Sequence, residues 1–212
     1  MAEEKTAPVQ IWNTNALSQR FDYGLEAVIE EENRMAVESP VWRRHAISPQ
    51  LIWHYSPRYD FAIGYENKRD WTDQVTEDEM GTRVDTVEEE ENSGFFSGTV
   101  KLEMAGWAME SRQRFQWGLA EDGTTGEFRQ KTDLRYEKPL LPFGIKPFVA
   151  DEWSYDLLGS RELSQNELMM GFMVDFNRVL RVELFGLRMD EWDVAGNLLT
   201  TPVLGLKVSA RF

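Results

Sequence analysis

Long stretches of this chain alternate apolar and polar residues one by one, and that period of two constrains the fold more than any other feature. Successive side chains of a β-strand leave on opposite faces, so an alternating segment is a strand with one apolar and one polar face. At the C-terminus Leu204, Leu206, Val208, Ala210 and Phe212 share a face against Gly205, Lys207, Ser209 and Arg211. Upstream, Leu168, Met170, Phe172 and Val174 oppose Glu167, Met169, Gly171, Met173 and Asp175; Leu180, Val182 and Leu184 oppose Arg181 and Glu183. The middle of the chain sets Phe128, Gln130, Thr132, Leu134 and Tyr136 against Arg129, Lys131, Asp133, Arg135 and Glu137. No stretch carries a helical stripe.

The pattern predicts ten strands, at 21–31, 42–55, 60–70, 95–104, 107–119, 127–138, 145–155, 166–176, 179–190 and 202–212. Short turns are expected at Ser56-Pro57-Arg58-Tyr59, Ala105-Gly106, Pro139 to Gly144 and Asn177-Arg178. Longer polar loops fall at 32–41, 71–94, 120–126, 156–165 and 191–201. Short turns on one rim and long loops on the other is the plan of an outer-membrane barrel. No internal repeat or Pro/Gly/Ser linker divides the 212 residues, a length that suits one domain.

Period alone does not decide whether the apolar faces meet a core or a bilayer. No apolar run reaches the 18 or so residues of a transmembrane helix, and a closed barrel is the only other way to span hydrocarbon. The strands are about twice the soluble mode of about 5–6 residues. Trp53, Tyr55, Tyr59, Trp71, Trp107, Trp117, Tyr136, Trp153, Tyr155 and Trp192 gather near strand ends, where interfacial aromatic girdles belong. The expectation is therefore a closed, antiparallel, up-and-down transmembrane barrel of about ten strands, or twelve if one hairpin escapes the pattern. Residues 21–212 form the barrel, and residues 1–20 stand in the periplasm or tuck into the lumen. Val9, Ile11, Trp12 and Leu17 would supply an eleventh strand, which the even parity of bacterial barrels speaks against. The start MAEEKTAPVQ has neither the basic residues nor the apolar core of a secretory signal, as in a cytosolic chain or the mature form of an exported one.

With apolar side chains outward, the lumen receives Glu110, Arg112, Arg114, Arg129, Lys131, Asp133, Arg135, Glu152, Arg181, Glu183, Lys207 and Arg211. A barrel of this size is only slightly wider than one filled by its own side chains. Cross-strand ion pairs plugging the interior are the first expectation, since the planar guanidinium forks suit bidentate pairing. The second is a narrow channel in which Arg112, Arg114, Arg129 and Arg135 form a basic track for anions. Between residues 70 and 91 ten acids face only Arg83, nine of the chain's net −14 charges. The plain reading is a solvated extracellular loop; weak Ca²⁺ binding at Glu88, Glu89, Glu90 and Glu91 and a cationic protein partner are the functional ones. The net charge excludes a nucleic-acid binder.

Zero cysteines remove thiol chemistry and disulfides. His45, expected near the outer rim, and His54, near a periplasmic turn, have no flanking Ser or Asp at a catalytic spacing. Neither a phosphate loop nor a metal-ligand pair is present, so no enzyme activity and no cofactor are expected.

Phe212, closing an alternating strand, resembles the C-terminal signal of Gram-negative outer-membrane proteins, which implies recognition by the barrel-assembly machinery. More narrowly, the chain resembles the outer-membrane family known as domain of unknown function 2490. The matching stretches are Trp12, Gly64-Tyr65-Glu66, Ser111-Arg112-Gln113-Arg114-Phe115, Asp133-Leu134-Arg135-Tyr136, Lys146-Pro147-Phe148 with Glu152-Trp153, and Arg178-Val179-Leu180-Arg181. It departs at Asn166-Glu167-Leu168, where a more basic run is expected. The resemblance implies a barrel and carries no activity. Together these readings predict a small bacterial outer-membrane protein, structural or porin-like with a narrow channel, in contact with outer-membrane lipid and lipopolysaccharide. A soluble all-β binding module is the alternative, followed by a barrel enzyme acting on envelope lipid or protein.

Overall fold

A computed structural model describes residues 4–37, 42–78, 81–120, 123–138, 144–158, 163–192 and 197–212. The strands are β1 (Glu4–Thr6), β2 (Gln10–Arg20), β3 (Leu25–Ala36), β4 (Trp42–Ser56), β5 (Tyr59–Asp78), β6 (Gly81–Met104), β7 (Trp107–Ala120), β8 (Gly123–Tyr136), β9 (Ile145–Asp156), β10 (Leu163–Asp175), β11 (Leu180–Trp192) and β12 (Leu198–Arg211). From β2 to β12 each strand pairs antiparallel with the next, and β12 closes on β2 from Val203↔Gln10 to Arg211↔Ser18. The result is a closed barrel of eleven strands.

An odd count forces one seam to be parallel, and that seam is β2–β12. The expectation of ten strands, with residues 1–20 outside the wall, is corrected here. Gln10–Arg20 is a full strand, paired with β3 from Gln10↔Ala36 to Arg20↔Glu26 and with β12 on its other edge. Its outward face is Ile11, Asn13, Asn15, Leu17 and Gln19, so the amides interrupt the apolar alternation that marks the other strands. The short β1 continues along β12, pairing Glu4↔Leu198 to Thr6↔Thr200. Pro8, which lacks an amide proton, stands in the break between the two strands.

The remaining strands keep the expected inside and outside but are longer than the alternation suggests. β3 begins only at Leu25, because Asp22–Gly24 form a 3-10 turn, and it continues to Ala36. The expected loop 71–94 is a ladder: β5 and β6 stay in register from Tyr59↔Val100 to Asp78↔Gly81. Above an apolar belt a strand has no need of an apolar face, because backbone hydrogen bonds and cross-strand ion pairs hold it. A stretch dominated by acidic and other polar residues therefore hid a strand.

Turn chemistry sets the opposite rim. Ala105 and Gly106 both have positive φ (54° and 90°), the conformation a two-residue hairpin needs. Ser56 Oγ accepts from the amides of Arg58 and Tyr59, and Asn177 Oδ1 from those of Val179 and Leu180. Most of the expected turn from Pro139 to Gly144 lies outside the described residues.

Burial is inverted relative to a globular core. Leu184 and Leu204 are each 62% exposed and Phe172 is 56% exposed, all pointing away from the barrel axis. Glu66, Arg34 and Arg114 are buried within it. At the short-turn rim Phe21, Tyr23, Trp53, Tyr55, Tyr59, Trp107, Phe176 and Phe212 are exposed together, giving an aromatic collar.

Candidate functional site

Because the wall is a single pleated sheet, every second residue enters one shared interior. That interior holds a cavity of about 710 Å³, and all twelve residues expected in the lumen line it. The lining reaches the short-turn rim at Arg20, Asn177, Arg178 and Arg211. Toward the other rim it stops at Trp12, Arg34, Ala46, Glu66, Phe95, Arg114, Arg129, Glu152 and Glu167. Among the described residues the cavity is a cup that opens toward the short-turn rim.

Its floor is built from two kinds of contact. On β4–β7, Glu66 accepts hydrogen bonds from Ser48 Oγ (3.0 Å), Gln116 Nε2 (3.1 Å) and Arg114 Nη2 (3.2 Å). Gln116 Nε2 also donates to Ser93 Oγ at 2.7 Å. The Arg114 guanidinium lies over the Phe95 ring at 3.6 Å from its centroid. Phe95 in turn occupies the space above Gly64, where a Cβ would stand 2.3 Å from the ring. Closer to the far rim Arg44 makes a two-pronged bond with Asp70 (2.6 and 3.1 Å), and Lys68 Nζ pairs with Glu91 at 2.5 Å.

On β9–β12 and β2 the floor is apolar: Trp12, Phe148, Met173, Phe185, Leu187, Met189 and Val203 form one buried cluster. Phe185 meets Trp12 edge to face at 6.4 Å and lies against Gly205, where a Cβ would approach its ring to 2.0 Å. Arg34 joins the two halves. Its guanidinium covers the Trp12 ring at 3.4 Å, its Nε donates to Glu32 at 2.6 Å, and Glu167 is 3.9 Å away.

Most of the expected lumen residues meet an opposite charge. Lys207 pairs with Glu30 (2.6 Å), Arg129 with Glu127 (2.7 Å), Arg181 with Asp175 (2.7 Å), Arg211 with Glu26 (3.3 Å), Lys131 with Glu152 (3.5 Å) and Arg135 with Glu110. Among the described residues Arg112, Asp133 and Glu183 have no ion-pair partner. The lining as a whole holds twelve carboxylates against twelve Lys and Arg, so the expected basic track is one sector of a balanced interior.

The mouth carries a cluster the sequence reading did not assemble. Both nitrogens of His54 face carboxylates: Nδ1 is 3.0 Å from Asp60 and Nε2 is 2.9 Å from Glu26. Glu26 also takes Arg20 at 3.0 Å, and Asp60 takes Lys101. His45 instead faces outward from β4, 3.4 Å from Glu31.

Period two also corrects the Ca²⁺ expectation. Glu88 and Glu90 leave one face of β6, each 3.7 Å from Arg69, while Glu91 leaves the other toward Lys68. The four carboxylates do not converge on one ion. Phe212 lies exposed at the short-turn rim, its amide donating to Ser18 O at 2.8 Å.

Sequence reasoning missed Trp12 because β2 was placed outside the wall. It missed Arg34 because strand 21–31 stopped three residues early. The parity of Glu26, Glu30 and Glu32 already pointed Arg34 inward.

Comparison with curated protein sequences finds no match. Among solved structures the chain is similar to the crystal structure of the β-domain of the Bordetella autotransporter BrkA, with a TM-score of 0.52 and 10% identity over 86% of this chain and 82% of that one. At that identity the likeness is one of fold. The model of the family described as protein of unknown function DUF2490 matches residues 9–199, and the chain belongs to that family.

Proposed function

We propose that this protein is a non-enzymatic outer-membrane barrel of a Gram-negative bacterium, blocked by its own side chains rather than open as a porin. The observation that carries the reading is the inverted burial: exposed Phe172, Leu184 and Leu204 around a wall whose interior holds Glu66, Arg34 and Arg114. A soluble module would expose its charges and bury those rings; a bilayer reverses the arrangement. The likeness to an autotransporter β-domain supports the same location. Outer-membrane lipid and lipopolysaccharide then cover the apolar belt. Phe212, exposed at the end of β12, is available to the barrel-assembly machinery. The short-turn rim with its aromatic collar faces the periplasm, so the cup opens inward.

The floor of that cup supports a structural role over passive transport. Ion pairs and the Trp12–Phe185 cluster fill the section between the cup and the far rim, and the balanced lining gives a permeating anion no preference. Wild-type protein in planar bilayers is expected to show no discrete conductance, while Trp12→Gly combined with Arg34→Ser opens a water path and conducts. Steady wild-type conductance that the double substitution leaves unchanged would overturn the blocked-barrel reading. A protein that stays soluble without detergent, with no heat-dependent shift in gel migration, would return the soluble module.

A further inference from the structure

The outward belt is interrupted by polar side chains midway up β7–β9. Arg112, Arg114, Arg129, Lys131 and Glu152 line the cavity, so their neighbours Ser111, Gln113, Gln130, Thr132 and Asp151 face out. They are contiguous: Ser111 pairs with Thr132, Gln113 with Gln130, and Thr132 with Asp151. Apolar and aromatic residues bound them on both sides along each strand. Trp107 and Met109 lie toward the short-turn rim on β7, with Phe115 and Trp117 toward the other. Leu134 and Phe128 bracket them on β8, Val149 and Trp153 on β9. On β10–β12 the outward residues nearer the short-turn rim are unbroken, Met170, Phe172, Leu184, Leu204 and Leu206 all being apolar and exposed.

In hydrocarbon, polar atoms must find partners within protein. Part of the patch is satisfied locally. Gln113 Nε2 donates to Ser111 Oγ at 2.9 Å, and Asp151 accepts from Trp153 Nε1 and from Asn166 Nδ2. The Gln130 carboxamide has no side-chain partner among the described residues. Lipid headgroups and water lie beyond the flanking rings, so another protein surface is the remaining source of donors and acceptors.

We propose that β7–β9 is the contact face of a two-fold dimer, with a second copy of this chain covering the patch; this rests on the membrane reading above. Carboxamides and hydroxyls both donate and accept. Gln113, Gln130, Ser111 and Thr132 are therefore self-complementary across a two-fold axis, the commonest oligomer symmetry. Asp151 sits one strand to the side, its carboxylate already holding hydrogen bonds from Trp153 and Asn166. A second outward polar group, Asn13, Asn15, Glu31 and Asn33 on β2–β3, would bring Glu31 against Asp151 in a head-to-tail contact. Like charges in low dielectric disfavour that arrangement.

The chain has no cysteine, so single-cysteine variants report proximity cleanly. In outer membranes treated with a short bis-maleimide, Ser111→Cys is expected to yield a dimer band at least fivefold above Phe172→Cys on β10 and Asn15→Cys on β2. Gln113→Leu with Gln130→Leu, added to Ser111→Cys, is expected to cut that band at least threefold while the heat-dependent gel shift persists. Equal cross-linking at the three positions, preference for Asn15→Cys, or no dimer from an integral, heat-modifiable protein overturns the dimer face alone. Release of the wild-type protein by alkaline carbonate would sink the membrane reading and this face together.

Discussion

Across the floor of the lumen, the inner faces of β4–β7 and of β9–β12 carry opposite chemistry. On β4–β7 the lumen is closed by Glu66 with its three donors and by Arg114 stacked on Phe95. On β10–β12 it is closed by Phe185, Leu187, Met189 and Val203, with Phe185 seated over Gly205. A polar wall holds through its hydrogen bonds and ion pairs, and deleting one partner strands the others. An apolar wall holds by shape, and a single absent Cβ decides where the ring sits. One barrel thus fills a narrow lumen by two independent means. The Arg34–Trp12 stack is where they meet.

Substitutions that strain one wall at a time test that division. The largest effect is expected from Phe185→Ala, which removes the ring contacting Trp12 and the Gly205 face, at a cost of about 4 kcal/mol, read as the midpoint shift of urea unfolding in detergent. Glu66→Leu comes next at about 3 kcal/mol, because Arg114 and Gln116 lose their shared acceptor. Adding Arg114→Met should recover about half of that loss, whereas no recovery would show the two residues acting separately. Gly205→Ala should cost about 2 kcal/mol by overpacking against Phe185, and Phe185→Leu in the same chain should relieve part of it. The smallest effect, under about 0.5 kcal/mol, is expected for Arg69→Ala, since its pairs with Glu88 and Glu90 are exposed at 3.7 Å. If Glu66→Leu outweighed Phe185→Ala, the polar wall would be the dominant one and the ranking would reverse.

How much of this was readable in the sequence follows from where one face is apolar. Alternation from Phe128 to Tyr136 and from Leu204 to Ala210 assigned inside and outside correctly, because a one-residue slip would move every side chain to the wrong face. The same logic had nothing to act on in β2, whose outward Asn13 and Asn15 erase the contrast. It also lost the ladder from Asp70 to Glu91, where scattered apolar residues such as Val75 and Val84 give no sustained alternation among the acids. The even-strand rule then reinforced the first omission. Carrying the parity of β3 onward reaches Arg34, but its stack on Trp12 depends on a strand nearly two hundred residues from its β12 partner. The mouth cluster of His54, Glu26 and Asp60 joins β3, β4 and β5, and no local spacing announces it.

The parallel joint between β2 and β12 has a consequence for assembly. Its partners, such as Gln10 and Val203, come from opposite ends of the chain, so the loop entropy of ring closure falls on this pairing. Parallel ladders are also slightly weaker per residue than antiparallel ones. The cylinder therefore stays an open, curled ribbon until its last strand arrives. Amide exchange should mark this joint as the place where the finished ring first comes apart.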